Sequence, residues 1–93
     1  MIIGCLKVML NIPAAHSLKD KRRVVKSLIT RIHNRHNVSA AEVGENERHQ
    51  SCLLGAAVVS NDSGHASQRL SAIINMIERE SESYIVDYEI ELL

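Results

Sequence analysis

The stretch that decides the fold reads IIGCLKVMLNIPAAHSLKD, residues 2–20. Residues in its first half alternate in character, which is typical of a β-strand with one face on a core. One side carries Ile2, Leu6, Val8, Leu10 and Ile12, and the other carries Ile3, Cys5, Lys7, Met9 and Asn11. Pro13 ends this strand, and Ser17 with Asp20 forms a helix start signal, because a serine hydroxyl accepts hydrogen bonds from early helix amides. We therefore predict a strand and then an amphipathic helix from about Leu18 to Arg35.

Four further elements follow from the same kinds of pattern. Residues 38–43 predict a short edge strand, and the apolar run Cys52–Val59 predicts a central strand buried on both faces. The start signal Asn61-Asp62-Ser63-Gly64 precedes a second helix. Residues 84–93 alternate again, which predicts a fourth strand. In that strand we expect one side to face inward, with Tyr84, Val86, Tyr88, Ile90 and Leu92, and the acidic residues between them to face outward.

The order of these elements predicts an α+β fold, a ferredoxin-like βαββαβ sandwich. Its antiparallel four-stranded sheet has the order 4-1-3-2, with two helices on one face, and one domain spans residues 1–93. Cys5 and Cys52 are expected about 17 Å apart, too far for a disulfide. Free cysteines and the absence of a ~20-residue apolar run favour a cytoplasmic protein without a membrane segment.

Charge is unevenly distributed, although the formal net charge is zero. Seven of the eleven Lys and Arg residues lie within Lys19 to Arg35, and six of the eleven acidic residues lie within Glu78 to Glu91. On the first helix several basic side chains project within roughly 100° of one another. We predict that this basic face contacts nucleic acid through Lys19, Lys21, Arg22, Arg23, Lys26 and His33. A solvated helix face and an acidic protein partner are the alternatives.

Neither catalysis nor metal binding is predicted. Ser17 has a capping role, Cys5 lacks an adjacent base, and we expect no enzyme and no cofactor. His33 and His36 stand three apart, but no Cys or carboxylate at ligand spacing completes a metal site. His16 and His49 are expected to approach each other at one end of the sandwich, where ordinary loop polarity is the favoured interpretation.

Base stacking on the sheet is disfavoured, because Tyr84 and Tyr88 are the only aromatic residues and neither central strand contains one. The outward side chains of those strands are instead mostly apolar, with Ile3, Cys5 and Met9 around Lys7 on the first strand. Exposed apolar patches usually mark interfaces, and two-fold dimers are the commonest solution. We therefore predict a homodimer through Ile3, Cys5 and Met9.

Residues 12–28, together with 35–43, 57–62 and 86–93, are similar to the signature of the bacterial YlxP-like family, a family of unknown function. The Ser-Leu-Lys-x-Lys-Arg core at residues 17–22 is its most specific part. The resemblance implies a ferredoxin-like fold and, because such genes often lie among those for translation factors, a bacterial cytoplasmic protein associated with RNA or the ribosome. At one position the chain differs: family members often carry a Trp in the hairpin where this chain has His49. The expected function is that of a non-enzymatic RNA- or ribosome-binding protein. The alternative is a structural or regulatory dimerisation module that binds an acidic protein partner.

Overall fold

The computed structural model describes residues 1–93 and contains four strands and two helices. They follow in the order β1 (Ile2–Asn11), α1 (Leu18–Arg35), β2 (Ser39–Gly44), β3 (Ser51–Ser60), α2 (Ser63–Glu78) and β4 (Tyr84–Leu92). All strand pairs are antiparallel, and the sheet has the order β2-β3-β1-β4. The predicted ferredoxin-like fold, with both helices on one face of the sheet, is confirmed.

Both helices begin at the predicted caps. Ser17 Oγ accepts a hydrogen bond from the backbone N–H of Asp20 at 3.1 Å, and Asp62 Oδ2 accepts one from His65 at 2.9 Å. These bonds satisfy amides that have no partner inside the helix. Helix α1 ends where His36 takes an extended conformation.

The core lies between the helices and one face of the sheet, and it contains 19 buried apolar residues. The prediction that β3 is buried on both faces is wrong. Cys52, Leu54, Ala56 and Val58 are buried, whereas the residues between them are half-buried or exposed, as Val59 is at 68%. An unbroken apolar run marks two-sided burial only where a second layer covers the other face, and this chain has no such layer.

The inward side of β4 was predicted incorrectly at its start. A register irregularity between Met9 and Leu10 places Ile85, rather than Tyr84 or Val86, opposite Leu10. Ile85 therefore packs against the core. A bulge adds one residue to a strand and reverses which side chains face inward beyond it.

Beyond the irregularity the predicted side of β4 agrees with the pairing, although the residues on that side do not join the core. Tyr88, Ile90 and Leu92 pair with β1 residues of the helix-covered side. They nevertheless stay partly exposed, since β4 is an edge strand. Cys5 and Cys52 are both free thiols, and neither helix is long and apolar enough to cross a membrane.

Candidate nucleic-acid interface

Three cations form a continuous row on the outer side of α1. Lys19, Arg22 and Lys26 are exposed, and none has a carboxylate within 4.0 Å. At 3.6 residues per turn they lie within about 60° of one another, on the side of the helix away from the sheet. We call these three residues the basic strip, and its charge is available to an anionic partner.

The flanking cations are already paired. Arg23 lies 3.2 Å from Glu82, and Arg31 forms an ion pair with Glu80. Both glutamates come from the segment after α2. Part of the acidic stretch Glu78 to Glu91 therefore neutralises the cations that flank the basic strip. Arg23 remains exposed and can exchange its partner, because surface ion pairs of this kind contribute little stability.

His33 is exposed, but its ring is engaged within the fold. The backbone N–H of Ala40 donates to His33 Nε2 at 3.2 Å. A ring nitrogen that accepts a hydrogen bond carries no proton. His33 therefore supports the start of β2 and is not part of the strip.

The prediction that Lys21 contacts nucleic acid is wrong, because this side chain is completely buried. Its ammonium donates to three backbone carbonyls, those of Glu45 at 2.8 Å, Asn46 at 3.3 Å and Ser51 at 3.2 Å. Glu42 Oε2 lies 2.9 Å from the same nitrogen. Three ammonium protons serve three carbonyls, so the carboxylate contributes mainly its charge. Lys21 ties α1 to the β2–β3 hairpin and cannot reach a phosphate.

The periodicity of the helix contains the signal for this burial. Positions 18, 21, 25, 28 and 32 follow the three-and-four spacing of one helix face, and four of the five are apolar. Lys21 therefore lies within the apolar stripe. Glu42 alternates inward with Ala40, since both are paired with buried residues of β3. A lysine at a core-facing position of α1 and a glutamate at a core-facing position of β2 together indicate a buried ion pair.

The carboxylate of Glu42 also affects a neighbouring thiol. Burial, and next the negative charge of Glu42, raise the pKa of Cys52 to about 12, while Lys21 acts in the opposite direction. The thiol therefore stays protonated at neutral pH and is a poor nucleophile.

A polar cleft opens at the end of the sheet where β1 and the hairpin meet the segment before α1. It has a volume of about 520 Å³ and is lined by Asn11, Ala15, His16, Arg48, His49, Gln50 and Ser51. His16 and His49 thus line one cavity, as their positions in the topology predicted. We call this cavity the hairpin cleft. No group of three metal-ligating side chains occurs in the structure.

The face of the sheet opposite the helices, the open face, carries the predicted dimer residues. Ile3, Cys5 and Met9 are each half-buried there. Beside Cys5 lies an apolar groove of about 330 Å³, whose other walls include Ala41, Val43 and Ala57. Lys7 on the same face lies 3.9 Å from Glu89 of β4. The open face thus combines apolar surface with charges of both signs.

Comparisons with known proteins agree with this fold and leave the function open. Residues 3–90 match the model of a family described as "Protein of unknown function (DUF503)". An "Uncharacterized protein YlxP" of Bacillus subtilis (strain 168) is 36% identical over 64 residues, which cover 69% of this chain and 70% of that protein. The solution NMR structure of a de novo designed protein with a ferredoxin fold superimposes with a TM-score of 0.56 at 15% identity, covering 100% of this chain and 84% of the design. At that identity the likeness concerns the fold alone.

Proposed function

We propose that this chain, which belongs to the DUF503 family of proteins of unknown function, is a non-enzymatic protein that binds the phosphates of ribosomal RNA. Membership confirms the resemblance to the YlxP-like family. The proposal is supported above all by the basic strip, three exposed cations without an acidic partner on one rigid helix face. A cytoplasmic location in a bacterium is part of the proposal, since the resemblance implies a role near translation.

The dimensions of the strip suit a run of phosphates. Seven residues separate Lys19 from Lys26, which corresponds to about 10.5 Å along a helix axis. Measured along the axis of a duplex, each strand carries one phosphate per about 3.4 Å. The strip therefore spans about three nucleotides, and long side chains can follow an irregular backbone.

The sheet adds no base recognition of the usual kind. Neither β1 nor β3 contains an aromatic residue, so bases have no ring to stack on there. Phosphate contacts position a nucleic acid but carry no sequence information. Binding by the strip is accordingly expected to be electrostatic and weakly selective.

The salt dependence of binding tests this proposal. For three phosphate contacts we expect a slope of log K against log salt of about −2.1 for single strands to −2.7 for duplex. Arg22→Ala should reduce the magnitude of the slope by about 0.7–0.9. Arg79→Ala is the matched control, because Arg79 is exposed and without an ion pair at the end of α2. Binding to rRNA fragments that ignores salt, or an equal effect of both variants, would contradict the proposal.

A second candidate function, dimerisation, is favoured by the open face. Its groove is apolar, and Lys7 lies on the same face as the acidic side chains of β4. A second copy related by a two-fold axis would therefore meet both a matching apolar surface and an opposite charge. Met9→Lys should shift a dimer to monomer in sedimentation at micromolar concentration, whereas a wild-type chain that sediments as a strict monomer would exclude this candidate.

An acidic protein partner of the basic strip is distinguished from RNA by nuclease treatment. If RNA is the partner, material captured from a lysate by the strip should disappear after nuclease digestion. Proteins that remain bound after digestion, and are lost in Arg22→Ala, would instead support a regulatory module for acidic proteins.

A further inference from the structure

We infer that the hairpin cleft binds a single nucleotide of an RNA chain, taking its phosphate and its base. The inference rests on the proposed function, since the nucleotide would belong to the RNA whose neighbouring phosphates the basic strip holds. It adds a site with hydrogen-bonding groups for a base, which the sheet does not offer.

The size and lining of the cleft fit such a ligand. Its volume of about 520 Å³ lies within the 300–1,000 Å³ typical of small-molecule sites. Ala15 is its one apolar lining residue, and none of the lining residues is acidic. The cleft is widely open to solvent, which leaves room for a nucleotide that remains part of a chain.

Three polar side chains in the cleft have no partner within the protein and are free to bind a ligand. The rings of His16 and His49 make no hydrogen bond within the protein, and neither does the carboxamide of Asn11. Two other histidines differ: the ring of His33 accepts from Ala40, and that of His65 contacts Ser60 Oγ at 3.2 Å. The ring of His36, at the end of α1, makes no hydrogen bond, so two of the three free imidazoles lie in the cleft.

Hydrogen bonds hold the cleft walls in place without a ligand. Gln50 Nε2 donates to the carbonyls of Pro13 at 3.0 Å and Ala15 at 3.1 Å, which joins the hairpin to the segment before α1. The buried ammonium of Lys21 holds the other side of the hairpin. The amide oxygen of Gln50 is consequently fixed as an acceptor, and little ordering is required on binding.

The chemistry of these groups matches a nucleotide. Arg48 carries a planar guanidinium, which binds phosphate in bidentate fashion. Its present partner, Glu45 at 2.9 Å, forms an exposed pair, which a phosphate can displace. The imidazoles offer flat surfaces on which a base can stack, and the two amides offer donors and acceptors for its edge.

The cleft also lies next to the basic strip. His16 precedes Lys19 by three residues, so their Cα atoms are at most about 11 Å apart. A chain that runs along the strip can therefore place its next nucleotide in the cleft.

Titration of the ¹⁵N-labelled protein with nucleoside 5′-monophosphates tests the inference. We expect saturable NMR shifts at residues 15–17 and 48–51, with an affinity at least tenfold above that for inorganic phosphate or for the nucleosides alone. His16→Ala and His49→Ala should each weaken binding at least about fivefold, the lower end of the effect of losing one stacking ring. His65→Ala is the control, because this exposed histidine lies at the start of α2, beside the far end of β3.

Three results would overturn the inference: no saturable shift, equal binding of inorganic phosphate, or unchanged affinity in both cleft variants. Its failure is separable from failure of the proposed function. Lys26→Ala should reduce the salt slope for rRNA while leaving the affinity for mononucleotides unchanged. A normal salt slope with no mononucleotide binding would leave the strip as the sole RNA contact.

Discussion

Replacing Lys21 by methionine should strongly destabilise the protein, although a surface lysine on the same helix can be replaced at almost no cost. Methionine keeps most of the length of the side chain and removes the ammonium. The Glu42 carboxylate, with only 15% of its side chain exposed, then loses its counter-charge. The carbonyls of Glu45, Asn46 and Ser51 lose their donor at the same time.

The expected loss of stability follows from these contacts. Removing one partner of a buried ion pair costs about 3–5 kcal/mol, because the other charge remains in a poor environment. The hairpin carbonyls add little, since exposed neighbours such as Asn46 allow water to replace the ammonium. Domains of this kind have a total stability of about 5–15 kcal/mol. Lys21→Met should therefore remove at least about a fifth of it, and all of it if the total lies at the low end of that range.

Urea denaturation followed by far-UV circular dichroism measures this loss, and it needs no tryptophan, which the chain lacks. With a dependence of about 1–3 kcal/mol per molar urea, the midpoint should fall by about 1–5 M. Lys26→Met is the matched control, an exposed lysine on the same helix without an ion pair, and should change stability by less than about 0.5 kcal/mol.

A double-mutant cycle separates the ion pair from other effects of the substitution. In Lys21→Met with Glu42→Leu the uncompensated charge is absent, and replacing a buried pair by apolar residues is often neutral. We expect a coupling energy of about 1–3 kcal/mol between the two positions. A cost below about 1 kcal/mol for Lys21→Met, or strict additivity in the cycle, would refute this account of the pair.

Four further predictions concern the core, the open face and a helix cap. Because the folded state raises the pKa of Cys52 from 9.0 to about 12, the unfolded state loses its proton first as pH rises. Stability should therefore fall by about 1 kcal/mol between pH 8 and pH 10, and this decrease should be absent in Cys52→Ala. Iodoacetamide at pH 8 should modify half-buried Cys5 and leave Cys52 unmodified, as mass spectrometry of the intact chain would reveal. Ser17→Ala should lower the stability by about 1 kcal/mol through loss of the N-cap. Gly4→Ala should lower it by about 1–3 kcal/mol, because an added Cβ would lie 3.0 Å from side-chain carbons of Leu70 and Val58. The midpoint of urea denaturation measures both effects.

Local patterns were sufficient to predict the elements and their order. The Leu18–Arg35 helix was predicted with the bounds that the structure has, since its cap and its apolar stripe are both local signals. The side chains of β1 were assigned to the correct faces for the same reason: a regular strand has a period of two.

The errors lie where distant parts of the chain determine the outcome. Ile85 faces the core because of an irregularity in pairing with β1, and nothing within β4 indicates it. The run Cys52–Val59 lacks a charge on its outer side, yet only the presence or absence of a second layer decides whether that side is buried. Gly55 and Ala57 on that outer side are small and uncharged, so the sequence does not show the alternation between inward and outward residues of β3.

Lys21 is a different case, because its position was readable and was misassigned. It was grouped with its basic neighbours by proximity in sequence, although a helix turns each successive residue by about 100°. Lys19 and Arg22 point away from the sheet, whereas Lys21 between them lies under the hairpin. Adjacent cations of one helix thus have separate roles, since the outer ones present charge and the inner one fixes structure.

This separation links the two proposed RNA contacts to one structural element. The N-terminal half of α1 carries the strip on its outer side, and on its inner side it anchors the hairpin whose Arg48, His49 and Gln50 form one wall of the cleft. A hairpin without that anchor would have to be ordered by its ligand, at a cost to affinity. The buried lysine therefore stabilises more than the core: it holds the cleft wall in register with the phosphates that Lys19, Arg22 and Lys26 are proposed to bind.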